Sequence, residues 1–385
     1  MKPLLFLFSL LALFTDTASA DAFYIWQQQW SSNVLMAVTN ESPTTLYPIV
    51  SEIPASGQST LIPIPWKPLQ QTRHTFVPVI RVPLSAFNRS DLETELIRLC
   101  TELPDFQELQ LDLDCPESRL SEYADLLRKI RPQLPEKILS VTALPVHLDN
   151  RAFERVALNC DYYVLQVHGL DVPDHMNRHA ELMNPATADR AIRRAEKLGR
   201  PYSIALPCYA YELNFDPDTG RFLYLTAEGP SGRHNTVKRR IAARHRDLIH
   251  QLHQFRSLEY ARSLIWFRLP VDGDRLCLPR PALAEIQHGR LPQNDLTCIF
   301  IPISDTTFEI SLVNGNIIHS HEAELELNWN NPRGMYDLYR TATSPAKKAG
   351  LLPATLTAPV PAPGSQIRIG WFSTRQLPHI EVHLK

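Results

Sequence analysis

Two carboxylates near the end of one strand are the residues in this chain best placed to do chemistry. Through Gln107–Glu117, alternation puts Leu109, Leu111 and Leu113 on one face and Gln110, Asp112 and Asp114 on the other. An amphipathic helical run follows (Leu120, Tyr123, Leu126, Leu127, Ile130), then another apolar strand, so the sheet is covered on its apolar side. A pair of acids on the remaining face is either bonded to buried partners or used for acid–base work. The same parity, applied to the other strand ends, collects Trp26 and Gln28, Glu52, Arg81, Gln166 and His168, Tyr209, and Trp266 with Arg268; Glu212 stands just beyond, where parity is weak. Carboxylates, amide and imidazole donors and indole faces together suit a sugar, whose hydroxyls need polar partners and whose ring faces need aromatic ones. Glu52 and Arg81 on adjacent strands also read as a structural ion pair.

The elements that must position these groups are eight strand-like runs before residue 290. The sequence predicts them at Phe23–Gln29, Tyr47–Ile53, Phe76–Val82, Glu108–Asp114, Ile138–Val146, Asp161–His168, Tyr202–Tyr209 and Leu264–Leu269. Helical patterns lie near 90–102, 118–131, 150–158, 186–199 and 237–256, with a short one at Ser32–Val38. Eight β/α steps within about 250 residues predict a (β/α)8 TIM barrel over residues 21–292, with active groups at the carboxyl ends of its strands. An open doubly wound sheet is the alternative, but no Gly-rich dinucleotide turn follows any strand. The basic residues Lys238, Arg239, Arg240, Arg244 and Arg246 oppose Val237, Ile241, Leu248, Leu252 and Phe255, which reads as an outer helix with a solvated cationic face. The long loops 169–186 and 213–236, the latter a hairpin around Asp216-Pro217-Asp218-Thr219-Gly220, read equally as a lid or as plain insertions. Beyond residue 293 strands recur without helices (Thr297–Ile303, Phe308–Val313, Glu322–Trp329, Ile367–Phe372, Ile380–Leu384), with Asn314-Gly315 a hairpin signal and Leu352–Pro363 a loop. This predicts a small C-terminal antiparallel β-sandwich-like domain over 293–385.

Residues 1–20 read as a signal peptide: Lys2, an apolar run Leu4–Phe14 shorter than the ~20 residues of a bilayer span, and Ala18-Ser19-Ala20 before a mature start at Asp21. The expected location is periplasmic or extracellular, with no integral membrane segment in the mature chain. Near-balance of 39 Lys+Arg against 41 Asp+Glu disfavours a nucleic-acid partner. Six cysteines at irregular spacings, with no Cys-x-x-Cys pair, do not make a disulfide scaffold, and Cys208 reads as a buried thiol. His175 and His179 lack convincing metal spacing, and neither a nucleophile elbow nor a phosphate-cradling loop is present, so no metal or cofactor is expected.

Tyr24-x-Trp26-Gln27, Glu52, Gln110-Leu-Asp112-Leu-Asp114-Cys-Pro with Tyr123, Gln166-Val-His168-Gly169 and Gly370-Trp371-Phe372 resemble a bacterial family catalogued as domain of unknown function 3142, allied with barrel glycoside hydrolases. The fourth-strand motif is also similar to the Asp-x-x-Asp-x-Asp-x-Glu signature of chitinase-type hydrolases, in which the final glutamate is the acid. In the register that keeps an acid at the strand's end, Asp114 takes that glutamate's place, Asp112 the last aspartate's and Gln110 the one before. The resemblance implies a hydrolase acting on a polysaccharide or glycan. Asp114 would be the acid, tuned by Asp112, and Glu52 or Glu212 the second carboxylate. Gln166, His168 and Arg81 would hold the substrate while Trp26 and Trp266 stack on it. The missing glutamate favours the alternative, a catalytically inactive carbohydrate-binding barrel.

Overall fold

A computed structural model of the chain describes residues 22–227, 235–292, 296–314, 322–339, 342–344, 350–361 and 365–384. The leader expected at residues 1–20 lies outside them. In chain order the first part contains β1 (Ala22–Ile25), α1 (Ser32–Asn40), β2 (Thr45–Glu52), the single turn α2 (Trp66–Leu69), β3 (Thr75–Phe76), β4 (Val79–Arg81), α3 (Leu92–Glu102), β5 (Glu108–Asp112), α4 (Leu120–Ile130), β6 (Ile138–Ala143), α5 (Ala152–Leu158), β7 (Tyr162–Gln166), α6 (Pro185–Leu198) and β8 (Tyr202–Pro207). Then β9 (Ala210–Phe215), β10 (Phe222–Thr226) and β11 (Val237–Ala242) intervene before α7 (His245–Phe255), β12 (Ala261–Phe267) and α8 (Arg280–Gln287). Parallel pairing runs β1-β12-β8-β7-β6-β5-β4-β2, and β2 returns to β1, so eight strands close into the expected (β/α)8 barrel. The two residues of β3 are the start of the third barrel strand, separated from β4 by Val77 and Pro78, of which the proline has no N–H for the ladder.

Local signals explain where the helices lie. Helix α4 buries Leu120, Tyr123, Ala124, Leu127 and Ile130, a stripe at three- and four-residue spacing. Helix α6 starts on Asn184, whose side chain accepts from Thr187 N, with Pro185 at its first position, and stops at Gly199 with φ 65°. The barrel then has two apolar layers. One, between strands and helices, includes Phe23, Leu109, Leu111, Leu113 and Tyr163; the other, in the lumen, includes Tyr24, Tyr47, Val79, Tyr162 and Val164.

The helix expected over 237–256 is corrected by the structure: only His245–Phe255 is helical, and Val237–Ala242 is a strand paired antiparallel with β9. Val237 and Ile241 are four residues apart, a spacing that fits a helix face and a strand face alike. With β10 on the other edge, β9 and β11 make a three-stranded sheet at the carboxyl end of β8. Its Asp216 turn forms as read: the carboxylate accepts from Asp218 N (3.1 Å) and Thr219 N (2.8 Å).

The C-terminal strands are β13 (Leu296–Pro302), β14 (Thr307–Asn314), β15 (Glu322–Asn328), β16 (Met335–Leu338), β17 (Thr355–Pro359), β18 (Ser365–Ser373) and β19 (His379–Leu384). They form sheets β13-β14-β18-β16 and β17-β15-β19 around Ile310, Leu312, Leu325, Leu356, Ile369 and Phe372. Sequence reasoning missed β16 and β17, and put β17 in a loop. Both are edge strands, where short length and a proline such as Pro359 are tolerated. Gly370 in β18 is required by close approach, since a Cβ there would collide with the Asp337 carbonyl oxygen.

Buried residues of the barrel core end at Ile286, and those of the C-terminal core begin at Leu296, with none shared. A chain truncated after residue 292 is therefore expected to remain soluble and to melt cooperatively. An insoluble product, or a melt without a transition, would show that the C-terminal sheets complete the barrel.

Candidate active site at the mouth of the barrel

Strand register builds the site. Across β2, β4 and β5, Glu52 is level with Arg81 and Arg81 with Asp112, so the three side chains share the lumen face at the carboxyl end. Arg81 lies between the acids, with Nη1 3.2 Å from Glu52 Oε2 and Nε 4.0 Å from Asp112 Oδ2. Asp112 is 5% exposed and accepts hydrogen bonds on Oδ1 from Thr142 Oγ1 (2.8 Å) and Gln166 Nε2 (3.3 Å). Asp114, two residues on and past the strand's end, is exposed.

These surroundings determine which carboxyl holds a proton. Burial raises the Asp112 pKa from 3.8 to about 6, and the charge of Asp114 adds to the rise, while the Thr142 hydrogen bond, Arg81 and the Gln166 amide oppose it. The sequence reading had Asp112 tuning Asp114. Desolvation falls on the inner residue, so in the structure Asp114 tunes Asp112.

Below this layer a hydrogen-bonded chain crosses the lumen. Tyr24 Oη donates to Gln110 Oε1 (2.6 Å), Gln110 Nε2 to Ser140 Oγ (3.3 Å), and Ser140 Oγ to Glu108 Oε1 (2.8 Å); the Tyr162 hydroxyl also donates to Glu108 and lies 3.0 Å from that of Tyr47. Each polar group of this chain thus has a partner, and Gln110 braces the floor of the site.

At the mouth, Phe267 is the aromatic hub. Its ring centroid lies 5.0 Å from that of Trp26, 5.5 Å from Tyr24, 5.2 Å from Tyr209 and 5.6 Å from His168. Trp26 is half-buried, and His168 keeps Nε2 enclosed, with burial lowering its pKa to about 4, so its imidazole is neutral at pH 7. Two expectations are corrected. Trp266 is fully buried between the strands and the helices, on the opposite face of β12 from Phe267. Arg268 is 2% exposed and held by Asp274 at 2.6 Å, with a further bond to the Ala227 carbonyl at 3.0 Å, so it fastens loops. Sequence reasoning missed Phe267, Thr142 and the supporting role of Gln110. Gln28 lies beyond β1 and is exposed.

The sheet β10-β9-β11 abuts this wall. Tyr209, Leu213, Phe215 and Ile241 cluster with Leu182, Met176 and Phe267, and Arg239 donates to the carbonyls of Met176 (2.6 Å) and Arg178 (2.8 Å). The described parts of the two long loops therefore pack against each other. Glu212, on the other face of β9 from Tyr211, is 3% exposed, 3.4 Å from Lys238 Nζ and level with Arg240. Lys238 and Arg240 are thus partners of a buried acid. His175 and His179 are engaged separately, with the Thr219 carbonyl and with Glu181.

Because folding raises the Asp112 pKa, the folded state holds this proton more tightly than the unfolded chain does. Its stabilising contribution is complete below pH 3.8 and is lost as pH rises through about 6. Between pH 4 and 7.5 the wild type should lose on the order of 2 kcal/mol more unfolding free energy than Asp112→Asn. Urea unfolding at the two pH values measures this, and equal losses would refute the burial account.

Residues 88–272 match the family model described as Domain of unknown function (DUF3142). No curated protein sequence matches the chain. Among solved structures, it is similar to the chitinase from Chromobacterium violaceum ATCC 12472, at 11% identity over 71% of this chain and 99% of that one, with a TM-score of 0.50. It is also similar to the Bacillus cereus spore cortex-lytic enzyme SleL, at 10% identity over 71% of this chain and 74% of that one, with a TM-score of 0.52. At such identities the likeness is one of fold. Over residues 88–272 of its (β/α)8 barrel the chain is thus similar to the family described as Domain of unknown function (DUF3142).

Proposed function

We propose that this protein is an exported, glycoside-hydrolase-like barrel that cleaves a polysaccharide or glycan at the mouth formed by β2, β4, β5, β7 and β12. One observation carries the reading: a buried carboxyl that keeps its proton to about pH 6 stands two residues behind an exposed one at the end of a barrel strand. Asp114 is in reach of a glycosidic oxygen, and Asp112 is the proton-holding member behind it. When substrate covers Asp114 and expels its water, two like charges this close favour one shared proton, which Asp114 passes to the leaving oxygen. Glu52, ion-paired with Arg81, is the second carboxylate on the same face. Glu212 faces Lys238 on the far side of β9 and is the weaker choice. Gln166, His168, Arg81, Gln28 and Tyr209 are assigned to hydroxyl binding, and Trp26 with Phe267 to stacking. Export rests on the leader read at residues 1–20; among the described residues no helix is long and apolar enough to cross a membrane.

A second reading is a binding protein without turnover. It is favoured by the cations that neutralise Glu52 and Glu212 and by an acid one methylene shorter than the signature glutamate.

The test is a glycan panel that begins with chitin oligosaccharides, because one similar structure is a chitinase. Asp114→Asn should lower cleavage by roughly 100-fold or more with fold and sugar binding intact, since an amide cannot donate the proton. In the wild type, activity should fall as pH rises through about 6, and Asp112→Asn should both slow the reaction and move that limb. If no glycan is turned over and Asp114→Asn changes only affinity, the binding reading replaces the hydrolase. Cleavage by Asp114→Asn at the wild-type rate would remove Asp114 from the mechanism.

A further inference from the structure

Two thiols meet beside the mouth. Cys208 follows β8 directly, and Cys277 lies in the loop between β12 and α8. The two segments are joined by an antiparallel bridge between Tyr209 and Cys277, framed by Ala210 N to Leu276 O (2.6 Å) and Leu278 N to Cys208 O (2.7 Å). Both cysteines are 1% exposed. Their sulfurs converge on one acceptor: Cys208 Sγ donates to the Arg268 carbonyl at 2.9 Å, and Cys277 Sγ lies 3.5 Å from the same oxygen and 3.2 Å from the Cys208 carbonyl.

We infer that Cys208 and Cys277 are a disulfide site that fastens the loop after β12 to the end of β8. The loop so fastened carries Asp274, which holds Arg268, the neighbour of the hub residue Phe267. The cross-link would therefore set the rigidity of the aromatic wall and of the sheet that abuts it. Burial raises the Cys208 pKa well above that of an ordinary thiol, so Cys208 in the folded chain is a poor nucleophile. The bond forms while the chain is still open, by exchange with a disulfide-bearing oxidant such as glutathione disulfide. One cysteine thiolate attacks the oxidant and releases one of its sulfurs as a thiol; the second cysteine thiolate displaces the other. The Cys208–Cys277 bond replaces the oxidant's bond, and the two cysteine protons end on the two thiols released. An oxidising compartment, which export would supply, lets such a bond persist.

The full-length chain, unfolded and reduced, is refolded in a glutathione redox buffer, alkylated without reduction and digested for mass spectrometry. The expected result is one linked peptide pair, Cys208 to Cys277, with two fewer reactive thiols than the six cysteines present. Added reductant should lower the Tm of the wild type and leave the Tm of Cys277→Ser unchanged. Six reactive thiols, or a bond mapped to another pair, would overturn the inference; this map needs no variant. A wild-type Tm indifferent to reductant would overturn the proposed bracing.

Discussion

Parallel register across β2, β4 and β5 is the constraint on which the rest of the site depends. A barrel strand has one face toward the helices and one toward the lumen, and the outer face of β5 is taken by Leu109, Leu111 and Leu113. Gln110 and Asp112 then have nowhere to go but inward, and closure of the ring brings Arg81, Thr142 and Gln166 around Asp112. A carboxylate so enclosed would be prohibitive if unpaired. Its partners make burial tolerable without cancelling desolvation, and the residue is left with a pKa inside the working range of acid catalysis.

The polar lumen has a second consequence. Most barrel interiors are packed with branched aliphatic side chains, whereas here tyrosines, a glutamine, a serine and Glu108 bond across the barrel beneath the site. This fixes Gln110, and through the strand it fixes the height at which Asp112 and Asp114 stand. Above, aromatic residues around Phe267 give one wall and the charged line from Glu52 to Asp112 the other. An apolar wall facing hydrogen-bonding groups is what a sugar ring requires.

Much of this was legible because amphipathic strands declare their faces. The leucine alternation at 109–113 located Asp112 correctly, and eight such runs announced the barrel. Strand β12 was not legible in this way: Leu264, Ile265, Trp266 and Phe267 are apolar on both faces, and an irregularity lies between Ala261 and Leu264. Parity there has no sign, and Trp266 was taken for the mouth residue in place of Phe267. The basic run at 238–240 was ambiguous for a different reason. Its cationic side chains suit a solvated helix as well as a strand, and only the pairing of Lys238 and Arg240 with the face of Glu212 shows their role. Burial itself is invisible to spacing, so the sequence could pair Asp112 with Asp114 but not say which of them the protein would dehydrate.

The account therefore turns on the titration of Asp112, measured directly by carbon-13 NMR of its side-chain carboxyl in the wild type and in Asp114→Asn. It predicts a midpoint near 6 in the wild type and a lower one when the neighbouring charge is removed. A wild-type midpoint near the ordinary 3.8, or one that Asp114→Asn leaves unmoved, would contradict it.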